Sequence, residues 1–241
     1  MRAKRGLNGS ALKWIAVLSM LVDHFAVVFY FGSARVGNPI FSAGQYYILR
    51  GVGRLAFPIF AFLLAEGYHH TRSVEKYLLR LLLFGFVSEV PFDLAFQNAW
   101  LDMSYQNVFF TLFLGLVAVR LWDLLTCGDP ESCGALRVLA GLLCIVAAAA
   151  AAELGETDYG VWGVLVIVSI SIFRETEWLR DLLSGCFLLG SYPLEVVGFA
   201  DFILFHFYNG KRGRQRKYLF YIFYPAHLLM LVAICKAIYG S

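Results

Sequence analysis

The sequence contains little charge for its length. Only 15% of its 241 residues are Asp, Glu, Lys or Arg, whereas soluble domains contain about 25%. The apolar fraction is 60% and the mean hydropathy is +0.68. A water-facing surface cannot be built from this composition, because exposed residues must be mostly polar. The chain is therefore predicted to be an integral membrane protein.

Three other features are scarce: clustered positive charge, metal-binding cysteine patterns and internal repeats. The net charge is only +3 and the basic residues are dispersed among short loops, which argues against nucleic acid as a partner. Cys127 and Cys133 flank a short loop, but the five cysteines form no CxxC pair, so neither a zinc site nor a disulfide framework is expected. Missing repeats weaken a transporter interpretation, since many transporters are built from repeated halves.

Nine apolar stretches are predicted to cross the membrane as one all-α bundle that forms a single domain, residues 1–241. A spanning helix needs about 20 mostly apolar residues. The first stretch carries two central polar residues and no small-residue cleavage site, so we expect it to be retained. A re-entrant hairpin over 179–208 is an open alternative to two spans. The predicted spans are 13–32, 50–68, 77–96, 107–125, 135–152, 160–173, 179–192, 194–208 and 218–239.

Basic residues alternate between the loops and predict the orientation of the bundle. Cytoplasmic loops carry an excess of Lys and Arg, and here the N-terminus and the loops at 69–80, 120–137, 174–180 and 209–217 are the basic ones. The intervening loops contain few basic residues. The N-terminus is therefore predicted to be cytoplasmic and the C-terminus external.

Polar residues inside the apolar stretches indicate a site. An ionisable side chain at the bilayer centre costs at least ~2.5–3.5 kcal/mol and normally faces the bundle interior. Asp23 and His24 are neighbours on a helix and project about 100° apart, so each must find its partner on another helix. Arg54 is the expected counter-ion of Asp23. The whole set comprises Asp23, His24, Arg54, Glu66, Glu89, Asp93, Asn107, Thr111, Glu195, Asp201, His206 and His227.

Three of these residues lie beside two predicted proline bends. Glu89 and Asp93 are four residues apart on one helix face, and Pro91 between them removes a backbone donor. His227 follows Pro225 in the same way. A backbone acceptor is thereby freed close to the buried polar side chains.

These polar residues can also be interpreted as structural. A buried histidine can be an interhelical hydrogen-bond partner only, and Asp23–Arg54 can be a structural ion pair. Glu66 with His69 and His70 resembles a metal-ligand spacing, but it lies at a cytoplasmic helix end, so no metal is expected. Asp201 and His206 are predicted to be structural. The basic loop 211–217 either sets the topology or binds phosphate.

Several motifs resemble the TraX family, integral membrane proteins linked to N-acetylation of F-type conjugative pilin. They are Asp23-His24, Gly53-Arg54-Leu55-Ala56-Phe57-Pro58-Ile59-Phe60, Glu66-Gly67-Tyr68-His69-His70-Thr71-Arg72, Ser88-Glu89-Val90-Pro91-Phe92-Asp93, Gln106-Asn107-Val108-Phe109-Phe110-Thr111 and Tyr224-Pro225-Ala226-His227-Leu228. The resemblance covers most of residues 11–125 and the last span, while 126–208 contains no matching motif. It implies a multi-pass protein of the bacterial cytoplasmic membrane. The family is in turn similar to multispan acyltransferases that use acyl-CoA.

The resemblance implies acetyl transfer from acetyl-CoA to an amine or hydroxyl of an envelope or pilin-like acceptor. Such a reaction needs a base and a group that stabilises the oxyanion. His24 is the candidate base, with His227 as the second choice, and Arg54 would stabilise charge or hold Asp23. Glu89 would orient a histidine or the acceptor amine, and Asn107 would donate to the acyl carbonyl. The CoA phosphates would be held by Arg72, Lys76 and Arg80.

Two further functions use the same residues differently. A small transporter or flippase would line its path with these buried charges and perform no covalent chemistry. A structural partner in a secretion complex would tolerate apolar substitution of Asp23 and His24. The chemical nature of the acceptor, whether peptide amine, sugar or lipid head group, is left open.

Overall fold

The computed structural model describes residues 6–126, 130, 133–214 and 217–240. Cys127 and the basic residues Arg2, Lys4 and Arg5 lie outside the described residues. Within them the regular structure is helical, apart from two isolated β-bridges, which confirms the all-α prediction. The helices are α1 (Gly9–Arg35), α2 (Ala43–Gly53), α3 (Ala56–His69), α4 (Val74–Phe96), α5 (Val108–Thr126), α6 (Ala135–Leu154), α7 (Gly160–Ile172), α8 (Glu177–Ser191), a 3-10 helix (Pro193–Phe199), α9 (Ala200–His206) and α10 (Lys217–Tyr239).

Among the residues that the structure describes, five helical stretches are long and apolar enough to cross a membrane. They are Gly9–Arg35, Ala43–His69, Val108–Thr126, Ala135–Leu154 and Tyr218–Tyr239. The second combines α2 and α3 and contains the predicted span 50–68. The helices α7 and α8 have 13 and 15 residues, about 20 and 23 Å, against an apolar core of about 30 Å. The stretch 194–208 divides between the 3-10 helix and α9. The count of nine spans and the orientation stay predictions.

The chain divides into two compact units. Unit 1 comprises Met1–Phe60, Val87–Asp102 and Leu194–Ser241, and unit 2 comprises Ala61–Phe86 and Met103–Pro193. In unit 1, α1 packs against both α2 and α10. In unit 2, α5 packs against α6 and α7, and α7 packs against α6 and α8. Each unit is described separately below.

The start of α1 is fixed by local hydrogen bonds. The Asn8 side chain accepts from the backbone N–H of Ala11 at 2.9 Å, an N-cap that satisfies one of the donors left open at a helix start. Just before it, Leu7 donates to the Phe207 carbonyl and accepts from the N–H of Asn209, both at 2.9 Å. The beginning of α1 and the loop after α9 therefore lie at the same end of unit 1. The predicted topology also places these two segments on the same side of the membrane.

Two glycines let α1 approach its neighbours closely. A Cβ on Gly32 would overlap the sulfur of Cys235 on α10, and a Cβ on Gly53 of α2 would overlap the Asp23 carboxylate of α1. Because glycine has no Cβ, the backbone of α2 can lie directly against the buried acidic side chain. The polar residues of unit 1 are therefore held at tight helix–helix contacts.

Candidate functional site

Two buried histidines meet in unit 1. His24 on α1 and His227 on α10 are 7% and 3% exposed, and Nδ1 of His24 lies 2.6 Å from Nε2 of His227. Their rings are nearly parallel, with centroids 4.9 Å apart. The edges of Phe96 and Tyr224 pack around His24 at 5.3 and 5.8 Å. The two residues singled out as alternative bases thus form one hydrogen-bonded pair.

The hydrogen-bond pattern assigns the proton positions of this pair. Nδ1 of His227 lies 2.7 Å from the Phe223 carbonyl oxygen. A carbonyl can only accept, so Nδ1 of His227 carries a proton and, in the neutral ring, Nε2 is an acceptor. Nδ1 of His24 must then donate to that acceptor. The neutral His24 ring is therefore protonated on Nδ1, and its Nε2 carries a lone pair.

A second polar cluster in unit 1 is ionic. Asp23 accepts from Arg50 and from Nη2 of Arg54, the latter at 3.0 Å to both carboxylate oxygens. Nη1 of Arg54 donates to Oε1 of Glu195 at 2.9 Å. The side chains of Asp23 and Arg54 are 7% and 12% exposed, and that of Glu195 is fully buried. The expected Asp23–Arg54 contact is present, and a second arginine and a second acid extend it.

Asp23 and His24 therefore serve different helices. Asp23 faces Arg50 and Arg54 at the end of α2, whereas His24 faces α10, as their separation of about 100° on α1 requires. Each residue has found its partner on another helix. The geometry links an ion-pair cluster and a histidine pair through two adjacent residues of one helix.

Glu89 and Asp93 are both buried on α4, at 7% and 0% exposure. Helix α4 continues through Pro91 between them. Asp93 accepts the backbone N–H of Asp102 at 2.9 Å and so fixes the loop that follows the helix. Glu89 lies two turns before Phe96, which packs on His24. The predicted role of Glu89 in orienting a histidine or an amine stays a prediction.

Asn107 belongs to unit 2, at the start of α5. Its Nδ2 donates to the Gly85 carbonyl at 2.9 Å, and its Oδ1 accepts from the N–H of Phe109 at 3.0 Å. These bonds cap α5 and tie it to α4. Thr111, one turn further on, contacts Thr157 at 3.1 Å. The amide of Asn107 thus has a structural task, and its predicted contact with an acyl carbonyl stays a prediction.

The three candidate phosphate ligands also belong to unit 2. Arg72 and Lys76 are exposed, and Arg80 is partly buried with its guanidinium 5.6 Å from the centroid of the Tyr77 ring. Lys76 and Arg80 share one face of α4, since they are four residues apart. Beside them, hydrogen bonds from the backbone N–H of Glu75 and from Ser73 lower the pKa of the Glu75 carboxyl. The start of α4 is therefore a charged surface.

The residues with a metal-like spacing make other contacts. Glu66 lies 3.0 Å from Nε of Arg174 and 3.8 Å from Nε2 of His70, which is largely exposed. Tyr68 donates to Oδ2 of Asp123 at 2.7 Å. This end of unit 2 contains ion pairs and hydrogen bonds between α3, α5 and the segment after α7.

Arg50 is the site residue that the sequence did not single out, and Glu195 was in the predicted polar set without a partner. Arg50 is the first residue of the predicted span 50–68, but α2 begins at Ala43 and carries it in its last turn. Arg50 and Arg54 are four residues apart, which places both guanidiniums on the same side. This four-residue spacing is the feature of the sequence that could have identified Arg50. Glu195 comes from a distant part of the chain, and its contact depends on tertiary packing.

The TraX protein family model matches residues 8–235, nearly the whole chain. The chain belongs to the TraX family. It is 32% identical to a protein of Dichelobacter nodosus named probable fimbrial assembly protein FimC, serogroup H1, over 94% of this chain and 96% of that protein. No solved structure matches it. The resemblance carried by the motifs is confirmed, and it extends through the middle region in which no motif was found.

Proposed function

We propose that this protein is a membrane-embedded acyltransferase that moves an acetyl group from acetyl-CoA to an amine or hydroxyl of an envelope or pilin-like acceptor. The observation that supports this most is the chain of hydrogen bonds from the Phe223 carbonyl through His227 to His24. It leaves Nε2 of His24 unprotonated. An unprotonated imidazole nitrogen inside a buried polar site is suited to general base catalysis.

The reaction follows from that proton arrangement. Nε2 of His24 takes the proton of the acceptor N–H or O–H while the acceptor atom attacks the thioester carbonyl. The tetrahedral intermediate collapses, the C–S bond breaks, and the thiolate of CoA takes the proton back from Nε2. Neutral acceptor and thioester thus become amide or ester and free thiol. His227 stabilises the transient imidazolium, because it already accepts the Nδ1–H of His24.

Asp23 and Arg54 act as positioning residues in this proposal. Arg54 bridges Asp23 and Glu195, so its charge is already balanced by two carboxylates. This favours holding Asp23 over direct stabilisation of an oxyanion. Because Asp23 is locked to α2, the rotation of α1 about its own axis is fixed. That rotation points His24 at α10.

CoA is proposed to bind through its phosphates to Arg72, Lys76 and Arg80. Arginine suits this task because its planar fork can donate two hydrogen bonds to one phosphate. Arg72 and Lys76 are exposed and accessible to such a ligand. The positive charge at the start of α4 supports a polyanionic cofactor, with membrane lipid around the remaining surface.

The proposed acceptor is based on the name of the similar protein from Dichelobacter nodosus. The protein of Dichelobacter nodosus is named a probable fimbrial assembly protein, which supports a pilin-like protein as the acceptor here. The five apolar helices support a membrane location, and we propose the bacterial cytoplasmic membrane. A transporter or flippase is the alternative, favoured by the buried charges of Asp23, Arg54 and Glu195.

Release of free CoA thiol separates these two functions. Purified protein in nanodiscs, given acetyl-CoA and a pilin-like peptide with a free amine, should release thiol and acetylate the peptide. His24→Gln should abolish both signals. His206→Gln is the matched control, because His206 is exposed on α9 and outside the histidine pair. If no acyl-CoA and acceptor pair gives thiol release while the reconstituted protein moves solutes across liposomes, the acyltransferase proposal is wrong.

A further inference from the structure

Asp201 is a buried acid that the proposed chemistry does not use. It lies in α9, outside the five candidate spans, and its side chain is fully buried. Neither of its carboxylate oxygens has a hydrogen-bond partner among the described residues. A buried ionised carboxylate without donors loses several kcal/mol of hydration, and such groups normally bind a proton instead. Asp201 therefore needs a proton or a cation to be stable where it is.

The charges around Asp201 oppose ionisation of its carboxyl group. Its electrostatic neighbour is Glu195 on the 3-10 helix. Glu195 pairs with Arg54, and Arg54 and Arg50 of α2 both pair with Asp23 of α1. An ionised Asp201 would add a further negative charge beside the Glu195 carboxylate, and both side chains are fully buried.

We propose that Asp201 is a proton-binding site, whose neutral carboxylic acid adds no negative charge beside the Glu195 carboxylate. The bound proton also keeps a third carboxylate from competing with Asp23 and Glu195 for Arg54. This inference does not depend on the proposed acyl transfer, since it concerns the folded protein alone.

The proposed proton gives stability a pH dependence whose sign follows from linkage. In the unfolded chain an Asp loses its proton near pH 3.9, whereas the proposed site keeps its proton at neutral pH. Between pH 3.9 and neutral pH the folded state binds one more proton, so stability falls as the pH rises.

Infrared spectroscopy tests the proton directly. At neutral pH the wild-type protein should show the carbonyl stretching band of a protonated carboxylic acid, and Asp201→Asn should lose it. Glu75→Gln is the matched control, because Glu75 is a largely exposed acid and its replacement should leave the band unchanged. Identical spectra for wild type and Asp201→Asn at neutral pH would overturn the proposal.

Thermal unfolding provides the second readout. Between about pH 5 and pH 7 the folding equilibrium constant of the wild type should fall about tenfold per pH unit relative to Asp201→Asn, since one proton is released on unfolding. A difference that does not change with pH would contradict the site. If neither Asp201→Asn nor Asp201→Leu folds, the wild-type spectrum decides: its band must be present at pH 7, and a band already absent at pH 7 would refute the proposal.

Discussion

The histidine pair gives the sharpest prediction, because its two members have unequal roles. His24→Gln keeps hydrogen-bonding capacity but cannot take a proton at neutral pH, so it should lower turnover by the ~10²–10⁴-fold of a lost general base. That loss corresponds to about 2.7–5.4 kcal/mol of transition-state stabilisation. Affinity for acetyl-CoA should change little, because the proposed phosphate ligands lie on α4.

His227→Leu should be less damaging. This variant removes the acceptor of the Nδ1–H of His24 and leaves the base itself in place. One hydrogen bond to a charged group contributes ~1.5–3 kcal/mol, which predicts a loss of about 10- to 150-fold. Free thiol release in nanodiscs measures both variants, with His206→Gln as the control that should stay at the wild-type rate.

The double variant His24→Gln/His227→Leu decides whether the two histidines act as one unit. If His227 works only through His24, the double variant should be no slower than His24→Gln alone. Losses that multiply would mean independent roles and would refute the hydrogen-bonded relay. A His24→Gln protein with near wild-type turnover would show that His24 is packing only, and His227 would become the candidate base.

Three further predictions concern the ion pairs, the cofactor and the topology. Asp23→Asn leaves two largely buried guanidiniums short of one carboxylate and should cost about 3–5 kcal/mol, a fall in Tm of about 6–20 °C; Glu75→Gln, which removes an exposed pair, should leave Tm nearly unchanged, and equal shifts in the two variants would contradict the buried network. Arg72→Gln and Arg80→Gln should each weaken acetyl-CoA binding about ten- to a hundredfold in a filter-binding or calorimetric assay, while Arg137→Gln on an exposed part of α6 should not; unchanged affinity in both would return these residues to a purely topological role. A reporter fused after Gly155 should be external and one fused after Gly210 cytoplasmic, and the reverse result at either position would break the nine-span topology.

The sequence predicted the long apolar helices well, because hydropathy over about 20 residues is a strong signal. It was less informative where helices are short. The 13 residues of α7 and the division of 194–208 between a 3-10 helix and α9 are set by packing within each unit, not by the length of an apolar run. The start of α2 was missed for a related reason. Ser42 and Gln45 form a capping box there, seven residues before the predicted span begins.

Which side chains meet across the fold could be predicted only in part. The helical geometry of Asp23 and His24 required two different partner helices, and Arg54 was found as a partner from charge alone. The contact between His24 and His227 joins residues 203 positions apart. No local pattern encodes it, because it depends on the register of α1 against α10. Gly32 and Cys235 set that register by close packing, and small-residue contacts of this kind carry no chemical signature in a sequence.

The adjacency of Asp23 and His24 explains why an ionic cluster and a histidine pair occur together. A helix can rotate about its axis unless something fixes it, and an error of one residue in register turns a side chain by about 100°. Asp23 is fixed by two arginines of α2 and by the close approach of Gly53. The direction of the next residue is then determined. His24 faces His227 because Asp23 cannot turn. The ionic cluster performs no chemistry itself, but it holds the geometry that His24 needs as the proposed base. Gly53→Ala forces a methyl group into the Asp23 carboxylate and should accordingly lower both Tm and turnover. Turnover that survives a large fall in Tm would show that the histidine pair is positioned by α10 alone.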